Sequence, residues 1–145
     1  MTIHFVCSGN TFRSRLAETY LNSKRLKNIK VISSGVDASE NVNRPISWLT
    51  QRLFETNKLV PFEKPNWTQT SKQLLDSADL TIFFDKKYYK YCVKQFRFHP
   101  NLFEIWDIED LDKNIEDHLE KIRASEEIFN VIRQRVDNLV ERKRF

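Results

Sequence analysis

The stretch CSGNTFRS, residues 7–14, brings a thiol, a hydroxyl and a guanidinium together within eight residues. It directly follows the apolar run Ile3–Val6, and it holds one of the two glycines and one of the two cysteines of the chain. A thiolate is a strong nucleophile, and an arginine fork matches two oxygens of a phosphate. The spacing therefore predicts a site that holds a phosphate between Cys7 and Arg13, with a phosphocysteine as the intermediate.

The loop between these two residues must turn its backbone amides inward. A strand that runs into a tight loop and then a helix presents several N–H groups, backed by the helix dipole, to an anion. Gly9 and Asn10 are residue types that accept positive φ, so we expect both in that conformation. The Ser14 hydroxyl can donate a hydrogen bond to the thiolate and later to the departing sulfur. The expected phosphate-binding residues are Ser8, Gly9, Asn10, Thr11, Phe12 and Ser14.

Strands and helices alternate along the chain, which predicts an α/β fold. Strands are expected at Ile3–Val6, Lys30–Ser34, Leu80–Phe84 and Leu102–Ile105, and helices from Ser14 onward, after Pro45, after a cap at Thr70, over Lys86–Phe96 and through the periodic segment Ile122–Leu139. This pattern is typical of a parallel sheet covered on both faces. Ligands of such sheets bind at the carboxyl ends of the strands, and CSGNTFRS lies at the end of the first one.

Composition and charge restrict the function classes. The length of 145 residues suits a single domain, residues 1–145, and 40% of the residues are hydrophobic. No apolar stretch approaches the ~20 residues of a membrane span, and no signal peptide is recognisable, so we expect a cytoplasmic protein that does not bind membranes. The net charge of +4 comes without a dense basic and aromatic motif, which argues against nucleic-acid binding and favours acidic or phosphorylated partners.

The segment FVCSGNTFRSRLAE, residues 5–18, resembles the signature F-V-C-x-G-N-x-C-R-S-P-x-A-E of the low-molecular-weight protein-tyrosine phosphatase family. Ser33–Gly35 matches the family's S-A-G, and Ser77–Asp85 resembles its A-D-L-I-L-x-M-D strand. The resemblance implies a three-layer sandwich around a four-stranded parallel sheet, with no metal and no organic cofactor. It also implies hydrolysis of phosphorylated protein residues, with phosphotyrosine as the first substrate.

A general acid is expected because a poor leaving group departs ~10²–10⁴-fold faster when it is protonated. In the family, the aspartate of a D-P dipeptide late in the chain protonates the leaving oxygen and then activates water. The family's D-V-x-D-P aligns with residues 107–111, DIEDL, so the resemblance implies Asp110 as the acid. Asp107 and Asp112 lie in the same acidic run and stay open as alternatives.

Four positions depart from the family pattern or separate its branches. Phe12 replaces the second loop cysteine, so an oxidised Cys7 lacks a local resolving thiol. Arg15 replaces a proline, and a cation there can recruit anionic substrates. Leu111 replaces the proline after the acid, and the tyrosine pair that follows in the family is absent. Thr11 is typical of the branch that resembles protein-arginine phosphatases, which makes phosphoarginine an alternative substrate.

Other functions stay open. A phosphoprotein-binding module would keep the anion pocket and turn over weakly or not at all. An arsenate reductase of the same fold needs two further cysteines, whereas Cys92 is the only other one and is expected to pack beside Tyr88 and Phe96. The favoured role of Tyr88 is to cover the sheet. The three histidines have no metal-ligand spacing with either cysteine, and nothing indicates an oligomeric state.

Overall fold

The computed structural model describes residues 1–41 and 44–144 of the chain. Within them, four strands and five α-helices alternate as the sequence pattern predicts. The strands are β1 (Thr2–Cys7), β2 (Lys30–Gly35), β3 (Leu80–Phe83) and β4 (Leu102–Ile105). The helices are α1 (Arg13–Ser23), α2 (Trp48–Thr56), α3 (Lys72–Ser77), α4 (Lys86–Phe96) and α5 (His118–Lys143), with 3₁₀ turns at Ala38–Glu40 and Val60–Phe62.

The four strands form one parallel sheet of order β2-β1-β3-β4. Residues 3–7 of the central strand β1 are buried, as is all of β3, so the sheet is covered on both faces. Burial on both faces explains why these strands are continuous apolar runs instead of alternating patterns. The predicted α/β fold with a four-stranded parallel sheet flanked by helices is confirmed.

The flanking helices divide between the two faces. On one side α1 packs against α5, where Tyr20 meets Phe129 edge to face at 6.1 Å. On α4, Tyr89 packs against Phe83 of β3 at 5.5 Å and stacks on Phe103 of β4 at 4.5 Å. The β1–β2 and β3–β4 crossovers run in opposite directions across the sheet, so right-handed connections place α1 and α4 on opposite faces.

Two predicted helix starts differ from the structure. The α3 cap is Ser71, whose side chain accepts a hydrogen bond from the amide of Leu74, whereas the expected cap Thr70 is buried and bonds to Ser34 at 2.6 Å. Helix α2 begins three residues after Pro45, with Ser47 as its cap. In both places a serine with an extended backbone stood close to the predicted start. Within the described residues, no helix has the length and apolar content needed to cross a membrane.

Candidate active site

The loop that follows β1 lies against the end of β2. The residue pair Cys7 and Gly35 closes the parallel ladder, and the carbonyls of Cys7 and Ser8 then accept hydrogen bonds from the amides of Val36 and Asp37, at 3.0 and 2.8 Å. Helix α1 begins directly after the loop, at Arg13. The loop is therefore fixed by backbone bonds at one end and by a helix at the other, which is the geometry of an anion site.

The sulfur of Cys7 receives two hydrogen bonds from this loop. The Ser14 hydroxyl lies 2.8 Å from the sulfur, and the backbone amide of Asn10 donates to it at 3.3 Å. The side-chain amide of Asn10 donates to the Ser14 oxygen at 2.7 Å, which leaves the hydroxyl hydrogen free to point at Cys7. Both contacts stabilise a thiolate, because each directs a hydrogen-bond donor at the sulfur.

The loop backbone differs from the expectation at one of two positions. Asn10 has φ of 54°, as expected, whereas no described glycine has a positive φ. Asn10 alone supplies the left-handed turn, and its side chain supports that conformation by donating to Ser33 at 2.8 Å and accepting from the amide of Thr68 at 2.8 Å. The expectation that Gly9 also needs positive φ is wrong.

Gly35 serves the site through its lack of a side chain. A Cβ at this position would lie 2.4 Å from the carbonyl oxygen of Ser8 and 2.7 Å from the amide nitrogen of Asn10. Both atoms are backbone, so neither has a flexible end that can move away. Only glycine lets the end of β2 approach the loop this closely.

Arg13 connects the loop to the rest of the site. Its buried guanidinium donates to the carbonyl of Ile108 at 2.9 Å and to the hydroxyl of Tyr88 at 2.8 Å. It also lies 3.6 Å from the carboxylate of Asp110. Burial acts to lower the pKa of Arg13, but the charges of Cys7 and Asp110 and the bond to Tyr88 outweigh it and raise that pKa. The guanidinium is therefore a permanent cation at the base of the pocket.

The acidic run contributes two of its aspartates to the pocket. Asp110 and Asp112 line it, whereas Asp107 is exposed and is not among the lining residues. Asp110 is half-exposed, and one of its oxygens accepts from the amide of Leu111 at 2.8 Å while the other faces Arg13. Asp112 accepts from the amide of Asn114 at 2.9 Å. Of the three aspartates expected as candidates for the acid, Asp110 and Asp112 are therefore the two that line the pocket.

The pocket itself has a volume of about 420 Å³, and its rim contains both charged and apolar side chains. Its floor is the stretch from Cys7 to Arg13. Its mouth includes Trp48, which is 42% exposed and whose indole stacks on the His118 ring at 4.6 Å. Three cationic side chains also line it: Arg44, Lys113 and Lys121.

A buried polar network supports the loop from behind. Ser33 accepts from Asn10 and donates to the carboxylate of Glu18 at 2.9 Å. The ammonium of Lys64 lies 3.8 Å from that carboxylate and donates to the Ser33 carbonyl at 2.8 Å. Burial raises the pKa of Glu18, and burial lowers the pKa of Lys64 to about 8. A continuous chain of hydrogen bonds thus links Glu18 through Ser33, Asn10 and Ser14 to the sulfur, with the side-chain amide of Asn10 donating to both serines.

Arg15 belongs to this supporting layer. It is 1% exposed and donates to the carbonyls of Pro45 at 2.9 Å and Lys64 at 2.6 Å. Burial lowers the pKa of Arg15. A cation bound to backbone oxygens beneath the surface cannot meet an incoming anion, so the expectation that Arg15 recruits substrates is wrong. It ties the loop to the segments that precede α2 and α3 instead.

Comparison with known proteins identifies the family. The family described as "Low molecular weight phosphotyrosine protein phosphatase" matches residues 2–143 of the chain. The chain belongs to this family. Family membership confirms the predicted resemblance and makes the chain a phosphatase that acts on phosphorylated protein residues.

Three relatives of this phosphatase illustrate the similarity. A protein-arginine-phosphatase of Bacillus subtilis (strain 168) is 31% identical over 109 residues, which are 72% of this chain and 70% of the relative. The crystal structure of the drosophila arginine phosphatase DARP superposes with a TM-score of 0.80 at 19% identity, covering 100% of this chain and 99% of that one. The solution structure of a low molecular weight protein tyrosine phosphatase from Bacillus subtilis gives a TM-score of 0.75 at 21% identity, with 100% of both chains covered.

The second cysteine of this phosphatase is unsuited to redox chemistry. Cys92 is fully buried on α4, where Tyr88 is also buried, and burial raises the pKa of its thiol to about 12. A thiol held in the neutral form is a poor relay for oxidation. Among the described residues, no three His, Cys, Asp or Glu side chains are grouped as metal ligands.

Sequence reasoning missed the contact of Tyr88 with Arg13 and the contacts of Lys64 with Ser33 and Glu18 behind the loop. Tyr88 was expected only to cover the sheet, yet its hydroxyl accepts from Arg13, and the guanidinium lies 5.5 Å from its ring centroid. Tyr88 lies one helical turn after the α4 cap Asp85, directly beyond β3. In a parallel sheet that position faces the loop after β1, and this was the signal that could have located it.

Proposed function

We propose that the chain releases inorganic phosphate from phosphorylated protein side chains through a phosphocysteine on Cys7. The observation that carries this proposal is the sulfur of Cys7, which receives hydrogen bonds from Ser14 and the Asn10 amide on the floor of the pocket lined by Arg13 and Asp110. A nucleophile, an anion-binding cation and a proton donor thus share one cavity of about 420 Å³.

In the first step, the Cys7 thiolate attacks phosphorus and the bond from phosphorus to the leaving atom breaks. Arg13 and the loop amides hold the phosphoryl oxygens, where negative charge is distributed in the transition state. Asp110 gives its proton to the leaving oxygen or nitrogen. In the second step, Asp110 takes a proton from water, water oxygen attacks phosphorus, and the sulfur–phosphorus bond breaks. The Ser14 hydroxyl then stabilises the released thiolate.

We propose phosphoarginine as the preferred substrate residue. Thr11 lines the pocket, and its hydroxyl can hydrogen-bond a nitrogen-linked leaving group or the attacking water. The rim carries the carboxylates of Asp110 and Asp112, which attract the positive charge that a guanidine gains as it leaves. The names of two relatives, the Bacillus subtilis protein-arginine-phosphatase and DARP, support the same assignment.

Phosphotyrosine is the second candidate. The half-exposed indole of Trp48 stands in the mouth of the pocket, where it can contact an aromatic ring. The family description also names phosphotyrosine. The tyrosine pair expected after the acid is replaced by Asp112, Lys113 and Asn114, however, so the aromatic residues that line the pocket are only Phe12 of the loop and Trp48 at the mouth.

The test compares two peptides of one sequence that carry phosphoarginine or phosphotyrosine at the same position. The wild-type chain should show the higher kcat/KM on phosphoarginine, and Cys7→Ser should release phosphate from neither peptide. Thr11→Val removes the hydroxyl but keeps the branched shape. It should lower kcat/KM on phosphoarginine about fivefold, the worth of one hydrogen bond, and leave phosphotyrosine unaffected.

Thr11→Ser is the matched control, because it keeps the hydroxyl and should retain the preference for phosphoarginine. Faster release from phosphotyrosine by the wild-type chain would overturn the substrate assignment and select the second candidate. Phosphate release by Cys7→Ser at the wild-type rate would overturn the phosphocysteine mechanism.

A further inference from the structure

The outer surface of α4 carries positive charge that the proposed chemistry does not use. Five of the chain's 24 Lys and Arg residues lie in residues 86–97, and none of its 20 Asp and Glu residues does. These five side chains, called the α4 face below, are Lys86, Lys87, Lys90, Lys94 and Arg97. All of them are exposed, and none forms an ion pair with a described carboxylate. The charge of +5 on this segment thus exceeds the net charge of +4 of the whole chain.

The α4 face is joined to the active site by a buried contact. Tyr88, in the first turn of the helix, accepts a hydrogen bond from the phosphate-binding Arg13. The guanidinium of Arg13 and the ammonium of Lys87 lie 5.5 and 5.4 Å from the centroid of the Tyr88 ring. The two charges therefore lie within ~11 Å of each other, a distance that three to four residues of extended chain span. The 11-residue helix then extends ~16 Å, the length of about five residues of extended chain.

An apolar strip runs beside the α4 face. Tyr91 on the helix is 43% exposed, and Leu102 and Phe103 on the edge strand β4 are 52% and 42% exposed. The stacking of Tyr89 on Phe103 joins helix and strand into one surface. The expectation that the chain lacks a dense basic and aromatic surface is therefore wrong. Exposed aromatic groups of this kind are typical of surfaces that bind polypeptides.

We propose that the α4 face docks an acidic segment of the phosphoprotein substrate, so that the preferred phosphorylated residue is flanked on one side by about five residues rich in Asp and Glu. The inference rests on the proposed function and adds the substrate class to it. Charge complementarity favours an acidic partner, because the negative charges of its Asp and Glu residues offset the repulsion among the five unpaired cations. Continuity with Arg13 makes that partner the chain that carries the phosphate.

The experiment uses the full chain and three peptides with one phosphorylated residue in common. One peptide has five Asp and Glu residues before it, one has them after it, and one is uncharged on both sides. The wild-type chain should show a lower KM for one of the acidic peptides than for the uncharged one, with similar kcat. The double variant Lys90→Glu/Lys94→Glu should raise that KM about tenfold at low salt, and added salt should shrink the difference.

The matched control is Lys27→Glu/Lys30→Glu. These lysines are exposed and lie where β2 begins, at the end of the sheet opposite to the site, so they change the net charge equally without touching the α4 face. This control should keep the wild-type KM. Both double variants should hydrolyse para-nitrophenyl phosphate at the wild-type rate, because this small ester does not reach α4.

Three results would overturn the docking proposal. The first is an equal KM for the acidic and the uncharged peptides. The second is an equal rise in KM for both double variants. The third is that Lys90→Glu/Lys94→Glu loses only its binding to phosphatidylserine vesicles and keeps the wild-type KM for every peptide. Binding of the peptides to Cys7→Ser, followed by fluorescence anisotropy, gives the same comparison without turnover. A chain that fails to hydrolyse para-nitrophenyl phosphate but prefers the acidic peptide in anisotropy would refute the catalytic proposal alone.

Discussion

Asp110→Asn should lower kcat on a phosphopeptide by ~10²–10³-fold and leave KM close to the wild-type value. The amide keeps the size and the hydrogen bond from Leu111, but it cannot protonate the leaving atom or take a proton from water. The effect should fall on the transition state, since phosphate binding depends on Arg13 and the loop amides. Steady-state kinetics on one phosphopeptide measures both constants.

The controls for this prediction are Asp112→Asn and Asp107→Asn. Asp112 lines the same pocket and tests whether any rim carboxylate suffices, whereas Asp107 lies outside the lining and tests for a general charge effect. Both variants should keep kcat within a few-fold of the wild type. A large loss in Asp112→Asn with an active Asp110→Asn would transfer the acid to Asp112.

Gly35→Ala should lower kcat/KM by ~10²-fold and also destabilise the fold. The added Cβ would approach the Ser8 carbonyl oxygen to 2.4 Å and the Asn10 amide nitrogen to 2.7 Å, so the loop must move. A displacement of about 1 Å in a catalytic loop costs ~10²-fold in rate. Overpacking of this kind costs about 1–3 kcal/mol in the free energy of unfolding. Thermal denaturation and assays on para-nitrophenyl phosphate measure the two effects separately.

Gly9→Ala is the control for stability. A Cβ on Gly9 would meet the side chains of Asn41 at 3.4 Å and Thr11 at 3.5 Å, which are ordinary contacts, and its φ is not positive. The melting temperature of Gly9→Ala should therefore match the wild-type value. If both alanine variants melt together with the wild type, the close approach of β2 to the loop does not exist in solution.

Local features of the sequence predicted much of this molecule. The spacing of Cys7, Arg13 and Ser14 is set within a single loop and one helical turn, so the strand before it and the helix after it were enough to place them together. The strands and helices followed from apolar periods that act over five to fifteen residues. The edge strand β4 was also predicted at its observed bounds, although Leu102 and Phe103 stay partly exposed at the edge of the sheet.

Contacts between distant segments escaped sequence reasoning. Lys64 reaches Ser33 and Glu18 from a loop that carries no motif, and only the fold brings it behind the catalytic loop. Arg15 was expected to be a surface cation. Its burial depends on hydrogen bonds to the carbonyls of Asn10, Pro45 and Lys64, which only the fold brings together. Gly35 was identified as part of the family match Ser33–Gly35, and its steric role appears only when Ser8 lies against it.

The assignment of residue roles stays a prediction that one measurement tests most directly. It is rapid-quench mass spectrometry of Asp110→Asn mixed with para-nitrophenyl phosphate, with Cys7→Ala/Asp110→Asn as the control. Nitrophenolate leaves without help from an acid, but hydrolysis of the intermediate needs the base, so the phosphoenzyme should accumulate in this variant.

The account predicts a burst of one nitrophenolate per chain and one added phosphoryl group on the peptide that contains Cys7, both absent from the control. Slow turnover without a burst, or a phosphoryl group on any other residue, would contradict the phosphocysteine mechanism. Binding of phosphate to the wild-type chain without any turnover would identify a phosphoprotein-binding module on a phosphatase fold.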